Sequence, residues 1–385
     1  MTPLAACARQ RTLLHAIAGP DQLLSTWLAN NPLTEADLAW LHTRNLAAYA
    51  LQRLYQAGLA GQLAPDVRRV ARQLSTRALL GAEFHARELG NVLDALAEAH
   101  ITPALFKGAV LAHTVYPAPA CRSMGDLDLW LTETEMARGQ AALMGLGYVQ
   151  RTKEKRPVAL QAHRSGEIQM IGPGPRSGLV ELHYGVFAGE WLHRAAHVDE
   201  RSVRQRLMPI TVVGRPAAAL AVEDSLIQLA VHLTINHQVA HPGVRGLLDI
   251  VLEARARMPD WGILVERAEE WRVATAVWLA LHLAVELLGF EEARSACARL
   301  TPSPARQFLI RRFVTPRSIL AQRDLTRLGI IRFIYQLLLI DHTRDGARLL
   351  GRALWPEDAW LAARYGRQDL RQRWQHIWSA IRAQV

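Results

Sequence analysis

The sequence predicts an α+β protein: a small mixed sheet with flanking helices over residues 99–215, N-terminal helices over 1–98, and an all-helical domain over 216–385. Three observations carry this. Asp126-Leu127-Asp128-Leu129-Trp130-Leu131 and Leu179-Val180-Glu181-Leu182-His183-Tyr184 alternate polar and apolar residues with the period of two of a half-buried strand. On either side, apolar residues recur at helical spacing, as in Leu89, Val92, Leu93 and Leu96, and again in Leu226, Leu229, Ala230 and Leu233. Finally, the 385 residues are 50% hydrophobic and 21% charged, which excludes a disordered chain and suffices for two or three cores.

Taken in order, Thr34 and Asp37 form an N-cap signal ahead of a helical run to Gln56 that Gly58 stops. A second helix is expected over Val67–Glu98, with Glu88 and Asn91 as exposed positions. Ile101–Phe106 is a short apolar run before a glycine, the pattern of a buried strand. Lys107-Gly108 then opens a helix over Ala109–Val115, ended by Pro117 and Pro119. A strand leading through glycine into a helix N-terminus gathers free backbone N–H groups at the positive end of the helix dipole, which suits phosphate. Arg122 follows, as a partner for a phosphate or for a nearby carboxylate. Thr132-x-x-Glu135 is a capping box for a helix over Glu133–Met144, closed by Gly145 and Gly147. Tyr148–Gln150 is read as returning to the sheet, Lys153–Arg156 as a loop or hairpin end, Glu167–Ile171 as a strand and Gly172–Pro175 as a turn. From Ala217 onward the pattern is helical. His232 and His237 read as core or interhelix hydrogen-bonding groups, His237 and His241 give no zinc pattern, and Arg245 and Asp249, four apart, read as a pair. Trp355-Pro356-Glu357-Asp358 starts a late amphipathic helix.

The candidate chemistry lies on the two alternating strands. Asp126 and Asp128 share one face, where two like charges are best tolerated with a cation between them. If the second strand lies beside the first, about 4.8 Å away, Glu181 completes a three-carboxylate cluster, with His183 on the same face. Lysine occurs only at 107, 153 and 155, every other basic residue being arginine, so a compact ammonium is singled out at Lys107.

Other features bound the function. Cys7, Cys121 and Cys297 lie too far apart for a disulfide framework or a zinc spacing, and a reducing cytoplasm fits best. Met1-Thr2-Pro3-Leu4 shows no basic stretch ahead of an apolar one, so no signal peptide is expected. Ala274–Phe290, with His282 and Glu286, and Leu328–Ile340, with Arg332, fall short of the roughly 18 uninterrupted apolar residues of a membrane span. The formal charge of +10 permits an anionic partner, but the arginines are scattered and read as a solvated surface.

Lys107-Gly108, Arg122, Gly125-Asp126-Leu127-Asp128-Leu129 and Glu181-Leu182-His183, in this order and between helices, resemble the uncharacterised nucleotidyltransferase family of the polymerase-beta-like superfamily. The resemblance extends over most of the chain, through the His-containing helix and the Arg-x-x-x-Asp segment of Leu226–Asp249 to Trp355-Pro356-Glu357. It implies that Asp126, Asp128 and Glu181 hold two magnesium ions, that Lys107 and Gly108 form the turn for a nucleoside triphosphate, and that a nucleotidyl group passes to an acceptor hydroxyl on a small molecule, a protein or RNA. Ala109 stands where the superfamily has a second glycine or a serine, so the phosphate contact of that position falls to Ser123, Arg122 or Lys107. His183 is placed to orient the acceptor or a phosphate, or to make a supporting hydrogen bond. Two other readings stay open: a catalytically silent nucleotide-binding scaffold, and a toxin-like enzyme acting on tRNA or protein.

Overall fold

The computed structural model describes residues 3–151, 166–174, 177–240, 242–321, 329–355, 357–366 and 369–382. Expectations for Lys153–Arg156, Pro175, His241 and Pro356 fall outside these residues.

The chain is α+β, with one seven-stranded mixed sheet set among helices. Four helices precede the long one: α1 (Pro3–Ala18), α2 (Asp21–Asn30), α3 (Glu35–Thr43) and α4 (Ala47–Gln56). Thr34 is the expected N-cap and forms a full capping box with Asp37, each side chain accepting from the other's backbone N–H. The single run expected from there to Gln56 is in fact two helices, because Asn45 adopts a left-handed φ of 56° that reverses the chain between α3 and α4. The long helix α5 spans Pro65–Glu98. Glu88 on it is buried rather than exposed: its Oε1 accepts from Tyr148 Oη at 2.8 Å and from the Gly178 N–H at 2.7 Å, tying α5 to the sheet.

The strands are β1 (Ala104–Leu105), β2 (Asp126–Trp130), β3 (Val149–Arg151), β4 (Glu167–Ile171), β5 (Leu179–His183), β6 (Met208–Val212) and β7 (Arg215–Ala219), in the order β3-β4-β5-β2-β1-β7-β6. The strand expected over Ile101–Phe106 is thus only two residues long. It nevertheless sits between β2, which it pairs antiparallel, and β7, which it pairs parallel. β2 and β5 run parallel in the register Asp126↔Leu179, Asp128↔Glu181, Trp130↔His183. Alternation along the strands therefore puts Asp126, Asp128, Glu181 and His183 on one face. The opposite face carries Leu127, Leu129, Val180 and Leu182, all fully buried, and each contributes about 1.5–3 kcal/mol of burial free energy.

Helix α6 (Lys107–Thr114) leaves β1, and α7 (Glu133–Gly145) leaves β2 under the expected Thr132–Glu135 capping box. Short helices α8 (Glu190–Ala195) and α9 (Glu200–Gln205) follow β5. The β6–β7 hairpin overturns the helical reading from Ala217: β7 continues to Ala219, and helix begins only at Val222. From there α10 (Val222–Val231), α11 (Val244–Arg257), α12 (Trp261–Glu270) and α13 (Ala274–Leu288) pack together, with Leu226, Ala230 and Leu233 buried as the periodicity required. Gly329–Leu338, Thr343–Leu354, Asp358–Tyr365 and Leu370–Arg382 are further helices. Among the described residues, no helix is long and apolar enough to cross a membrane.

Candidate active site

Asp128 is the centre of the polar face. Its Oδ1 accepts from Lys107 Nζ at 2.5 Å and lies 2.8 Å from His183 Nε2. Lys107 reaches it because the residue takes a left-handed φ of 49° at the first position of α6, a conformation costing a non-glycine residue about 1–2 kcal/mol. The turn aims its stem back across β2, and the ammonium is held charged by Asp128, Glu181 and Asp126 even though burial opposes it. A guanidinium fork has no comparable point charge to place between two acids, which accounts for lysine here in an arginine-rich chain.

Burial alone would raise the Asp128 carboxyl; the Lys107 ammonium and the His183 contact outweigh it and hold Asp128 well below the usual carboxylate range. Glu181, its neighbour across the register, behaves oppositely. Burial first, then the Asp128 and Glu167 charges, push it up to about 7, against the pull of Lys107 and His183. Gln169 Nε2 on β4 donates to Glu181 Oε1 at 2.5 Å, which leaves Oε2 toward His183 Nε2 at 3.9 Å. Asp126 is less enclosed; burial and Asp128 raise its carboxyl, while Lys107, Arg122 and Arg245 pull it down.

Asp128, Glu181 and His183 each offer a ligand atom within 4.8 Å of the others, the only such group among the described residues. Asp126, two residues earlier on the same strand face, lies outside that 4.8 Å group. Two carboxylates and an imidazole form a donor set that suits a divalent cation. Glu181, pushed up by burial first and then by the Asp128 charge, is a further mark of fit, because an entering cation offsets that repulsion.

The remaining predicted residues fall into two groups. Arg122 takes the carboxylate alternative: Nε and Nη2 grip Asp249 at 2.7 and 2.9 Å, and Tyr116 Oη adds 2.6 Å to the same carboxylate. The expected Arg245–Asp249 pair is therefore replaced by Arg122–Asp249, an ion pair from the sheet loop to α11 that the helical spacing of Arg245 and Asp249 concealed. Arg245 is left with no carboxylate within 4 Å among the described residues; its Nη1 donates to the Ser123 carbonyl at 2.9 Å and its Nε is buried without a partner. It is the residue the sequence reasoning missed. Gly108 is buried, and a Cβ there would come within 2.8 Å of Met124 Cγ, so its absence lets the 122–125 loop close over α6. Ser123 is exposed on that loop, its carbonyl accepting from Arg122 and Arg245.

His232 opens a π-helical turn (His232–Asn236) after α10 and His237 caps its end, their Nε2 atoms 3.2 Å apart. This agrees with the hydrogen-bonding reading. Burial, with Lys107 and His237 adding to it, holds His232 well below its ordinary value, so the neutral imidazole faces the charged cluster.

The model of the family described as uncharacterised nucleotidyltransferase matches residues 34–289, whereas no curated protein and no solved structure matches the chain. That span takes in the acid face, Lys107, the Arg122–Asp249 pair and Arg245. The chain belongs to the uncharacterised nucleotidyltransferase family.

Proposed function

We propose that the protein is a divalent-metal-dependent nucleotidyltransferase that moves a nucleoside monophosphate from a nucleoside triphosphate to an acceptor hydroxyl. The observation that carries this is the β2–β5 register, which sets Asp128 against Glu181 with His183 beside them. Asp126, Asp128, Glu181 and His183 are the groups to hold the cation, magnesium being the expected ion and two the expected number. When bound, such ions lower the pKa of the acceptor hydroxyl and neutralise the phosphate oxygens of an in-line displacement.

The chain's own groups divide the rest of the work. Lys107 and Arg245 bring two positive charges toward the triphosphate, and Arg122, engaged by Asp249, braces the loop that carries Ser123. Glu181, where one of its oxygens is left free of the cation, takes the proton of the acceptor hydroxyl. The acceptor oxygen bonds to the α-phosphorus as the bond to the bridging oxygen breaks, and pyrophosphate leaves. His232, neutral and buried, orients groups without adding charge.

The test is magnesium-dependent transfer of radiolabel from α-labelled triphosphates into cell extract, with pyrophosphate release followed in parallel. Asp126→Asn and Asp128→Asn are expected to abolish both, with circular dichroism spectra like the parent's. Pyrophosphate release at the parent's rate by either variant refutes the assignment.

A further inference from the structure

A half-enclosed cavity of ≈ 260 Å³ lies between α3, α4, α5 and the 119–124 loop. From α5 it is lined by Arg77, Ala78, Gly81 and His85, which follow the spacing of one helix face. Ala47 and Ala48 of α4 belong to the same lining. Small side chains between neighbouring helices ordinarily let them close to contact, because protein interiors keep few voids larger than a water molecule. Here a Cβ built on Gly81 meets nothing within 4 Å, so open space remains on that face of α5. His42, Asn45 and Arg77 add hydrogen-bonding groups to the apolar walls. Flat apolar walls with a few convergent polar groups are the usual make-up of a pocket for a small organic ring.

The loop that closes this cavity ties it to the acid face. Arg122, Ser123 and Met124 line the cavity. The same Met124 packs over Gly108, and the same Ser123 carbonyl receives Arg122 and Arg245. The loop therefore borders the cavity and also carries the contacts of Arg122 and Arg245.

We propose that this cavity is a base pocket: it takes the planar nitrogen heterocycle of the donor nucleotide, whose phosphates lie on the Lys107–Arg245 side of the loop. The proposal rests on the nucleotidyltransferase reading and deepens it by naming where the donor is recognised. Arg77, Asn45 and His42 supply donors and acceptors to the ring edge, and the alanine and glycine surfaces cover its faces.

Calorimetry on the full chain with each non-hydrolysable nucleoside triphosphate, with the nucleosides and with inorganic tripolyphosphate tests it, comparing the parent with Gly81→Ala, Gly81→Leu and Arg77→Gln. A Cβ at Gly81 enters open space on the cavity side and leucine is the better helix former, so Gly81→Leu is expected to fold, which its circular dichroism spectrum checks. The affinity for the preferred triphosphate is expected to fall at least tenfold in Gly81→Leu, less in Gly81→Ala and severalfold in Arg77→Gln, with tripolyphosphate affinity unchanged in all three. Parent-like triphosphate affinity in Gly81→Leu overturns the proposal, as does an equal loss of tripolyphosphate, or a parent that binds no triphosphate. Loss of nucleoside binding alone also overturns it, because the ring in the cavity would then be an acceptor's. The two readings fail separately: radiolabel transfer with a parent-like Gly81→Leu sinks the pocket alone, whereas ring-dependent binding without transfer sinks the activity alone.

Discussion

Glu181 on the sheet and Glu253 in the helical layer are both buried carboxyls pushed up to about 7, chiefly by burial, yet their surroundings differ in kind. Glu253 has Ser225 Oγ on Oε2 and Arg257 Nη1 on Oε1, each at 2.9 Å, the arginine coming from its own helix four residues on. Glu181 has a neutral Gln169 on one oxygen and, across the register, another acid, Asp128. A buried acid with its own counter-charge and a hydroxyl donor has its bonding met within the fold. A buried acid facing a second acid keeps an electrostatic deficit that a ligand can fill.

The largest expected effect is on the lysine–acid pair of the sheet. Asp128→Asn strands the Lys107 ammonium in a buried site and is expected to cost about 3–5 kcal/mol in chemical denaturation. Adding Lys107→Met to the same chain restores most of it, since neither charge is then left alone. The counterpart Glu253→Gln, whose Arg257 is partly exposed, is expected to cost about 1 kcal/mol. Equal costs for the two single variants break the contrast.

A second pair separates binding from stability. Arg245→Ala, which removes no ion pair, is expected to raise the KM for triphosphate tenfold or more and to leave the melting temperature within about a degree. Arg257→Ala is expected to lower the melting temperature and leave KM alone. Swapped outcomes assign the two arginines the wrong way round.

The smallest effect sharpens the comparison through pH. Glu253 has its folded-state pKa raised from 4.5 to about 7, so the folded protein binds a proton more tightly than the unfolded chain. Its contribution to stability is fully present below pH 4.5 and is lost as the pH rises through about 7. Glu253→Gln therefore flattens the stability profile between these limits, which denaturant titrations at several pH values measure; a profile as steep as the parent's refutes the assignment.

Much of the site was legible because it rests on period-two alternation, which is local. Asp126–Leu131 and Leu179–Tyr184 each announce which face is polar, and the Asp128↔Glu181 alignment needs only that the strands be neighbours. Both capping boxes were legible for the same reason, their partners lying three residues apart. What escaped depends on distant partners or on backbone that side chains disguise. Arg122 and Asp249 are 127 residues apart, and nothing local says that Asp249 turns from Arg245 to Arg122. The burial of Glu88 depends on Tyr148 and Gly178. The β6–β7 hairpin turns on Val213 and Gly214, both at positive φ, but valine is not the residue that usually signals such a turn. Pro209 and Pro216 further hide the strands, and Ala217-Ala218-Ala219 imitates a helix.

The brevity of β1 has a mechanical consequence. Ala104 and Leu105, with the Pro103 carbonyl bonded to β7 and the Phe106 N–H bonded to β2, join the four-stranded acid-bearing part of the sheet to the β6–β7 hairpin, and Lys107 stands two residues past Leu105. The outer edge of the sheet is therefore held twice, by this short seam beside the charged cluster and by the Arg215–Asp94 ion pair to α5 at 2.6 Å.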